Sequence, residues 1–282
     1  MTTKYTNFLE NKKFSIFLFH GVIDKPTRGI LNYTRKHLPH KYFKNVVLDL
    51  LKTGVPITMD QILENSYKKE PLPKKAFSIT FDDGFANNLY VAAEILDSLN
   101  VPATFYITTN FVQSNIMSWI DRIEFAVEET SQEVINLGQI GSFDLKTNKK
   151  KIIFLNKIRN VVKQRSEIDQ DLIADKIQRI LLNKLINKNK DQIFDKLTIS
   201  QIQSLGKNNL FTIGGHTHTH PILSFLKEDE MNFEIKKCLD VLKQNCGILT
   251  HHFSYPEGLQ HCFNYKVITT LKKYGIKICP TA

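Results

Sequence analysis

The chain predicts an α/β fold organised around a parallel sheet, and three features of its 282 residues predict it. Short apolar runs end abruptly at polar or turn-forming residues. Between them lie segments whose apolar residues recur at helical intervals. Strand, helix and strand then succeed one another within about 35 residues, the length of a βαβ unit, which demands parallel pairing.

The elements follow in order. Phe14-Ser15-Ile16-Phe17-Leu18-Phe19 is a hydrophobic run closed by His20-Gly21 and reads as a buried first strand. Residues 40–52 place Tyr42, Phe43, Val46, Val47, Leu50 and Leu51 at helical spacing and stop before Gly54. Residues 76–81 form a second buried strand, stopped by Asp82-Asp83-Gly84. Leu89, Ala92, Ala93, Leu96 and Leu99 mark a helix, and after Pro102 the run Thr104-Phe105-Tyr106-Ile107-Thr108 is a third strand. From Trp119 to about Leu205 the chain turns rich in Ile, Leu, Lys and Asn with few strand-like stretches. Helices are expected there around Ile123, Ala126 and Val127, over 152–162 and over 172–185. Alternation resumes at Leu210-Phe211-Thr212-Ile213, followed by a helix over 231–244, a strand over 252–255, a helix over 265–274 ended by Gly275, and a last strand over 276–279.

With 42% hydrophobic residues the chain can bury a sizeable core, as one large domain or a domain plus a subdomain. It has no run of 18 apolar residues, so no membrane-spanning helix is expected. The apolar stretch near the N-terminus is too short for a signal-peptide core and lacks a small-residue cleavage site, which points to a cytoplasmic location. Cys238, Cys246, Cys262 and Cys279 show no Cys-x-x-Cys spacing and read as free thiols. The net charge is +10, and residues 143–196 hold 14 Lys and Arg against 7 Asp and Glu. A solvated helical face is the first reading of that stretch, and attraction to an anionic partner the second. Aromatic residues do not interleave with the basic ones, so no nucleic-acid partner is expected.

Chemistry concentrates in two motifs. Thr80-Phe81-Asp82-Asp83-Gly84 puts two carboxylates side by side at the end of an apolar run, where they repel each other and are poorly solvated unless a cation neutralises one. Gly214-Gly215-His216-Thr217-His218-Thr219-His220-Pro221 supplies imidazoles suited to a borderline divalent ion. One Asp and two His leave positions open for water and substrate, the arrangement of a catalytic metal with a carboxylate to spare. Both motifs follow a strand, and in α/β barrels the residues beyond strand C-termini line the active site. If residues 216–220 form a helix-like turn, His216 and His220 share a face and His218 points away. If they continue the strand, all three alternate onto one side. The flanking Gly214-Gly215 and Pro221 favour the turn without deciding it. His251, His252 and His261 have no spacing that singles them out.

The Asp82-Asp83 motif followed by His216-Thr217-x-x-His220 resembles the first two motifs of the NodB-type polysaccharide deacetylases, carbohydrate esterase family 4. Phe253-Ser254-Tyr255-Pro256-Glu257-Gly258 is similar to the family's Pro-containing third motif. The similarity runs from about Phe14 to the C-terminus, interrupted by the insertion. It implies a distorted or incomplete (β/α) barrel of about seven strands, laid out as a first barrel part over 1–118, a helical Lys-rich insertion over 119–205 and a second barrel part over 206–282. It further implies Asp82 as general base, Asp83, His216 and His220 as metal ligands, and a divalent metal, zinc first, with Co, Ni or Fe as alternatives. His20 points toward the same mouth and is a candidate substrate contact and proton donor. Tyr255 and the turn at Glu257 are candidate substrate contacts, with a backbone N–H for a developing oxyanion.

The activity so implied is metal-dependent hydrolysis of an N-acetyl group from an amino sugar in a polysaccharide, a lipopolysaccharide or their precursor, a step of cell-envelope polysaccharide biosynthesis. The partner is then an N-acylated amino sugar or glycan, with a phosphate- or lipid-linked form in keeping with the basic insertion. Two departures stand out. Ser254 occupies the place of an Arg that orients the base in many members, and no histidine follows His261 to supply a late Leu-x-His acid. The alternatives are a deformylase of a lipid-linked amino sugar, a non-catalytic metal- or glycan-binding module, and an iron(II) oxygenase with the same ligand set.

Overall fold

A computed structural model describes residues 4–9, 13–186 and 191–282. The chain divides into two compact units. One takes the residues up to Lys25, His37–Asn115 and Lys196–Ala282, and the other takes Pro26–Lys36 and Ile116–Asp195.

The first unit is built on a five-stranded parallel sheet. Phe14–Phe19 pairs with Ala76–Phe81, which pairs with Ala103–Ile107, which in turn pairs with Phe211–Gly215. Val55–Pro56 shares the start of the Ala76–Phe81 strand, opposite Ala76 and Phe77. Single bridges carry the same parallel order onward, from Gly215 to Phe253 and from His252 to Ile278. This is the mixed α/β architecture of a distorted, incomplete (β/α) barrel. Every residue of Ala76–Phe81 and of Ala103–Ile107 is buried, as expected of parallel strands covered on both faces. Phe14–Phe19, read as buried, instead alternates between half-buried and buried: Phe17 and Phe19 enter the main core, while Phe14 and Ile16 on the other face are only partly covered by the Ile57, Met59 and Ile62 cluster. The rings of Phe19, Phe81, Phe105 and Phe211 pass contact from strand to strand, with centroids 5.7, 5.1 and 5.5 Å apart. Each such pair contributes about 1 kcal/mol beyond its buried area.

Helices form where the apolar spacing placed them. His40–Thr53 buries Phe43, Val46, Val47 and Leu50 and ends at Gly54, whose N–H donates to Leu50 O at 2.8 Å. Glu228–Cys246 buries Met231, Ile235, Cys238 and Leu242. The helix after the paired aspartates opens as a π-helix, Asn88–Ala93, before becoming α-helical over Glu94–Ser98. Widened turns of this kind cluster beside functional sites. The last expected strand shrinks to a single bridge at Ile278, which packs with Phe14, Ile16 and Leu72 against the Ile57, Met59 and Ile62 cluster. The four cysteines carry no disulfide, and burial pushes the Cys238 thiol up to about 12 and that of Cys246 to about 11.

The second unit has its own core. Trp119–Glu129, Asn148–Gln164 and Gln170–Leu182 bury Ile123, Val127, Phe154, Ile158, Ala174 and Ile177 together. A small antiparallel hairpin, Val134–Asn136 with Ser142–Asp144, had no strand-like signal because each arm is three residues long. Pro26–Lys36 joins this unit from far upstream: the N–H of Ile30 donates to Glu128 at 2.9 Å and that of Asn32 to Glu124 at 2.6 Å. The ends of the insertion meet in the first unit, where Lys196 N–H donates to the Asn115 side chain at 3.1 Å.

Candidate metal centre

The Ala76–Phe81 strand delivers Asp82 and Asp83 to one place. Asp82 still belongs to the ladder, its N–H donating to Phe19 O at 3.0 Å. Asp83 and Gly84 then take left-handed backbone angles, φ 74° and 76°, which turn the chain sharply. A non-glycine residue held there stores roughly 1 kcal/mol or more of strain, which the surrounding bonds must hold in place. One of them is the 2.9 Å bond from Leu197 N–H to Gly84 O.

The histidines arrive from the Phe211–Gly215 strand. Gly214 and Gly215 belong to that strand rather than to the turn, and close packing explains them. A Cβ on Gly214 would lie 2.5 Å from the Tyr106 ring, and one on Gly215 2.9 Å from Phe253. His216 N–H donates to Ile107 O at 2.9 Å, pinning the first histidine to the neighbouring strand. Residues 216–220 form a turn: Thr217 and His220 have φ 63° and 72°. The Thr217 hydroxyl donates to His216 O at 2.6 Å and accepts from His220 N–H at 2.9 Å. The two histidine rings therefore lie 4.9 Å apart, while His218 faces elsewhere, its Nδ1 2.9 Å from the Thr109 hydroxyl.

Asp83 Oδ1 lies 3.7 Å from His216 Nε2 and 3.3 Å from His220 Nε2. With one carboxylate oxygen and two imidazole nitrogens mutually within 4.8 Å, the donor set fits a divalent ion of zinc type. His216 Nδ1 is 2.8 Å from Ser254 O, which fixes the proton on Nδ1 and leaves the Nε2 lone pair facing the aspartates. Burial lowers the pKa of His216 despite the pull of Asp82, so its imidazole is neutral and able to ligate.

Asp82 differs from its neighbour. Its Oδ2 accepts from the Ser254 hydroxyl at 3.2 Å and lies 3.8 Å from His216 Nε2. Its Oδ1 is buried with no hydrogen-bond partner among the described residues. Burial pushes its pKa up to about 6; His216 and the Ser254 hydroxyl pull against burial, and Asp83 adds to it. A carboxylate so poised exchanges a proton near neutral pH.

The other expected site residues are placed as follows. His20 follows Phe19, the register partner of Phe81, and so stands one step beyond the strand beside Asp82. Tyr255 is buried, its ring stacked on Phe263 at 4.4 Å and its hydroxyl hydrogen-bonded to Cys279. Glu257 and Gly258 form a left-handed pair, φ 64° and 62°, that turns the chain after Pro256.

Three further residues around the site went unread in the sequence. Glu234, from the Glu228–Cys246 helix, is buried and accepts from the N–H groups of His218 and Thr219 at 2.9 and 2.8 Å and from the Thr219 hydroxyl at 2.7 Å. It holds the histidine turn from behind. Phe111 stacks on His220 at 5.9 Å. Lys196, counted in the sequence as the end of a solvated basic stretch, is buried, with Nζ 3.3 Å from the centre of the Phe85 ring. Isolated Glu, Phe and Lys residues carry no motif, so only the fold reveals them.

Comparison with known proteins agrees with this architecture. No curated protein matches the chain significantly. Among solved structures it is similar to the Streptococcus pyogenes deacetylase PplD in complex with acetate, with 15% identity, a TM-score of 0.58, and 95% of this chain and 83% of that chain covered. It is also similar to IcaB from Ammonifex degensii, at 14% identity, TM-score 0.57, and 95% and 83% coverage. A third is the de-N-acetylase from Aggregatibacter actinomycetemcomitans, at 15% identity, TM-score 0.56, and 94% and 86% coverage. At these identities the likeness speaks for the fold. The family model described as polysaccharide deacetylase matches residues 69–171 and 175–279, most of the sequence. The chain belongs to the polysaccharide deacetylase family, the NodB-type domains of carbohydrate esterase family 4.

Proposed function

We propose that the protein is a metal-dependent amide hydrolase that removes the N-acetyl group from an amino sugar of a cell-envelope polysaccharide, a lipopolysaccharide or a precursor of either. One observation carries this reading. Two adjacent carboxylates have divided their surroundings, Asp83 toward both histidines and Asp82 toward Ser254, with one Asp82 oxygen making no hydrogen bond among the described residues. Asp83, His216 and His220 would hold the ion, zinc in the first place. Bound there, it would polarise the amide carbonyl and acidify the attacking water.

The remaining work falls to side chains of this chain. Asp82 Oδ1 accepts the proton of the attacking water, and the Ser254 hydroxyl holds the other oxygen in orientation. Ser254 thus takes up, more weakly, the orienting role of the arginine found in many members of the family, because a hydroxyl donates one bond where a guanidinium donates several. The turn that follows Tyr255 would supply a backbone N–H to the developing oxyanion. The leaving amine takes its proton from His20 or from the acid form of Asp82, whose raised pKa makes it a competent donor.

The test is release of acetate and formate from a panel of N-acylated amino sugars by zinc-loaded protein. Acetate release, lost in Asp82→Asn, is the expected result. Formate in its place would make the protein a deformylase. Retained glycan binding, with no acyl group released from any sugar, would make it a binding module.

A further inference from the structure

A second cluster of the same composition lies elsewhere in the first unit. Asp60, in the first turn of the Met59–Lys68 helix, meets two histidines nearly two hundred residues away. His251 Nε2 is 2.8 Å and His252 Nε2 is 3.0 Å from the same oxygen, Asp60 Oδ1. All three ligand atoms lie within 4.8 Å of one another, and the set shares no residue with the centre described above. We propose that Asp60, His251 and His252 form a second divalent-metal site, structural in role, that clamps the Met59–Lys68 helix to the segment at 251–252.

The geometry is unusual for consecutive residues. In extended chain, neighbouring side chains leave on opposite sides. Here the rings of His251 and His252 come together, with centroids 4.4 Å apart and planes 37° apart, and converge on one oxygen. The backbone holds them there. His251 O accepts from Lys277 N–H at 2.9 Å, and His252 N–H donates to the Thr250 hydroxyl at 3.1 Å. Asp60 is equally fixed, since Thr58 and Gln61 form a capping box around the helix start.

A divalent ion takes its histidines neutral and its carboxylate ionised, and one aspartate with two histidines supplies that set. The first turn of a helix favours the ionised form of Asp60. In a tetrahedral site with bonds of about 2.0–2.1 Å, ligand atoms stand roughly 3.3 Å apart, so each histidine Nε2, now at hydrogen-bond distance from Asp60 Oδ1, would withdraw by a few tenths of an ångström and exchange its proton for the ion. His252 is buried, whereas Asp60 and His251 are partly exposed, which leaves room for water on the open side. Among the described residues the two histidines pair with no carboxylate besides Asp60, so this set has no counterpart of Asp82 to take a proton from that water.

Metal content decides the matter. The full chain is stripped with chelator, reloaded with Zn2+, freed of excess ion and assayed for zinc per chain. Wild type should retain two equivalents, Asp83→Ala one, Asp60→Asn one, and the Asp60→Asn/Asp83→Ala double variant none. His251→Gln, at a partly exposed position, should also retain one, and covers the case in which Asp60→Asn does not fold. In the Asp83→Ala background, added Zn2+ should raise Tm, and the rise should vanish in the double variant. Wild type holding one equivalent that Asp83→Ala removes would overturn the second site and leave the first intact. Two equivalents that survive both Asp60→Asn and His251→Gln would overturn it as well.

Discussion

The two Asp-His-His clusters are built from the same residue types and differ in what stands behind them. At Asp83, His216 and His220, a backbone carbonyl selects the tautomer of one histidine, a buried glutamate braces the turn, and a second aspartate waits with an unengaged oxygen. At Asp60, His251 and His252, the carboxylate is half exposed and, among the described residues, the histidines pair with no second carboxylate. Ligands alone make a metal site. A proton acceptor placed beside the ion makes a hydrolytic one.

The largest expected effect separates the clusters outright. Asp83→Ala or His216→Ala should abolish both acyl release and one equivalent of metal. Asp60→Asn should leave turnover at 25 °C within about twofold and lower only the zinc-dependent part of Tm. Equal loss of turnover in all three would join the clusters into one functional unit and break the comparison.

Next comes the spare carboxylate. Asp82→Asn keeps the shape and the neighbouring ligand but cannot accept a proton, so metal content should hold while turnover falls by roughly 100-fold or more. The pH profile carries a sign. Burial places Asp82 at about 6 without a cation, and a neighbouring cation can only favour its ionised form. Activity of the zinc-loaded enzyme should therefore rise with pH along a limb centred at or below 6, and that limb should be missing in Asp82→Asn. A limb well above 6 would assign the proton to another group.

Glu234→Gln tests the brace. The amide retains one acceptor of two and loses the charge that gathers two backbone N–H groups, so zinc affinity should drop about tenfold, as for other groups that support metal ligands. Ser254→Ala deletes one hydrogen bond to Asp82 and leaves the Ser254 carbonyl on His216, so kcat should fall about fivefold, roughly 1 kcal/mol, with metal content unchanged. His218→Ala should change metal content least, because its ring faces Thr109 and Phe233 rather than Asp83. Metal loss in that variant equal to the loss in His220→Ala would contradict the turn.

Much of this was legible from residue order. Phe14–Phe19, Ala76–Phe81, Ala103–Ile107 and the helices between them are signalled by local apolar spacing, a property of neighbouring residues. Asp82-Asp83-Gly84 and the histidine run are contiguous, so their chemistry can be read without coordinates. Glu234, Lys196 and the pairing of Asp60 with His251 and His252 could not be read this way. Each is an ordinary residue whose meaning comes from a partner far away in the chain.

The sequence by itself determined the alternation of strands and helices, the paired carboxylates and the supply of imidazoles, because those depend on residue type and short-range spacing. Only the tertiary structure decided that His216 and His220 face Asp83 while His218 does not, since the left-handed angles at Thr217 and His220 are held by bonds from Ile107, Thr217 and Glu234. It likewise decided which aspartate keeps an unengaged oxygen, because burial and the Ser254 hydroxyl exist only once the strands have closed around them.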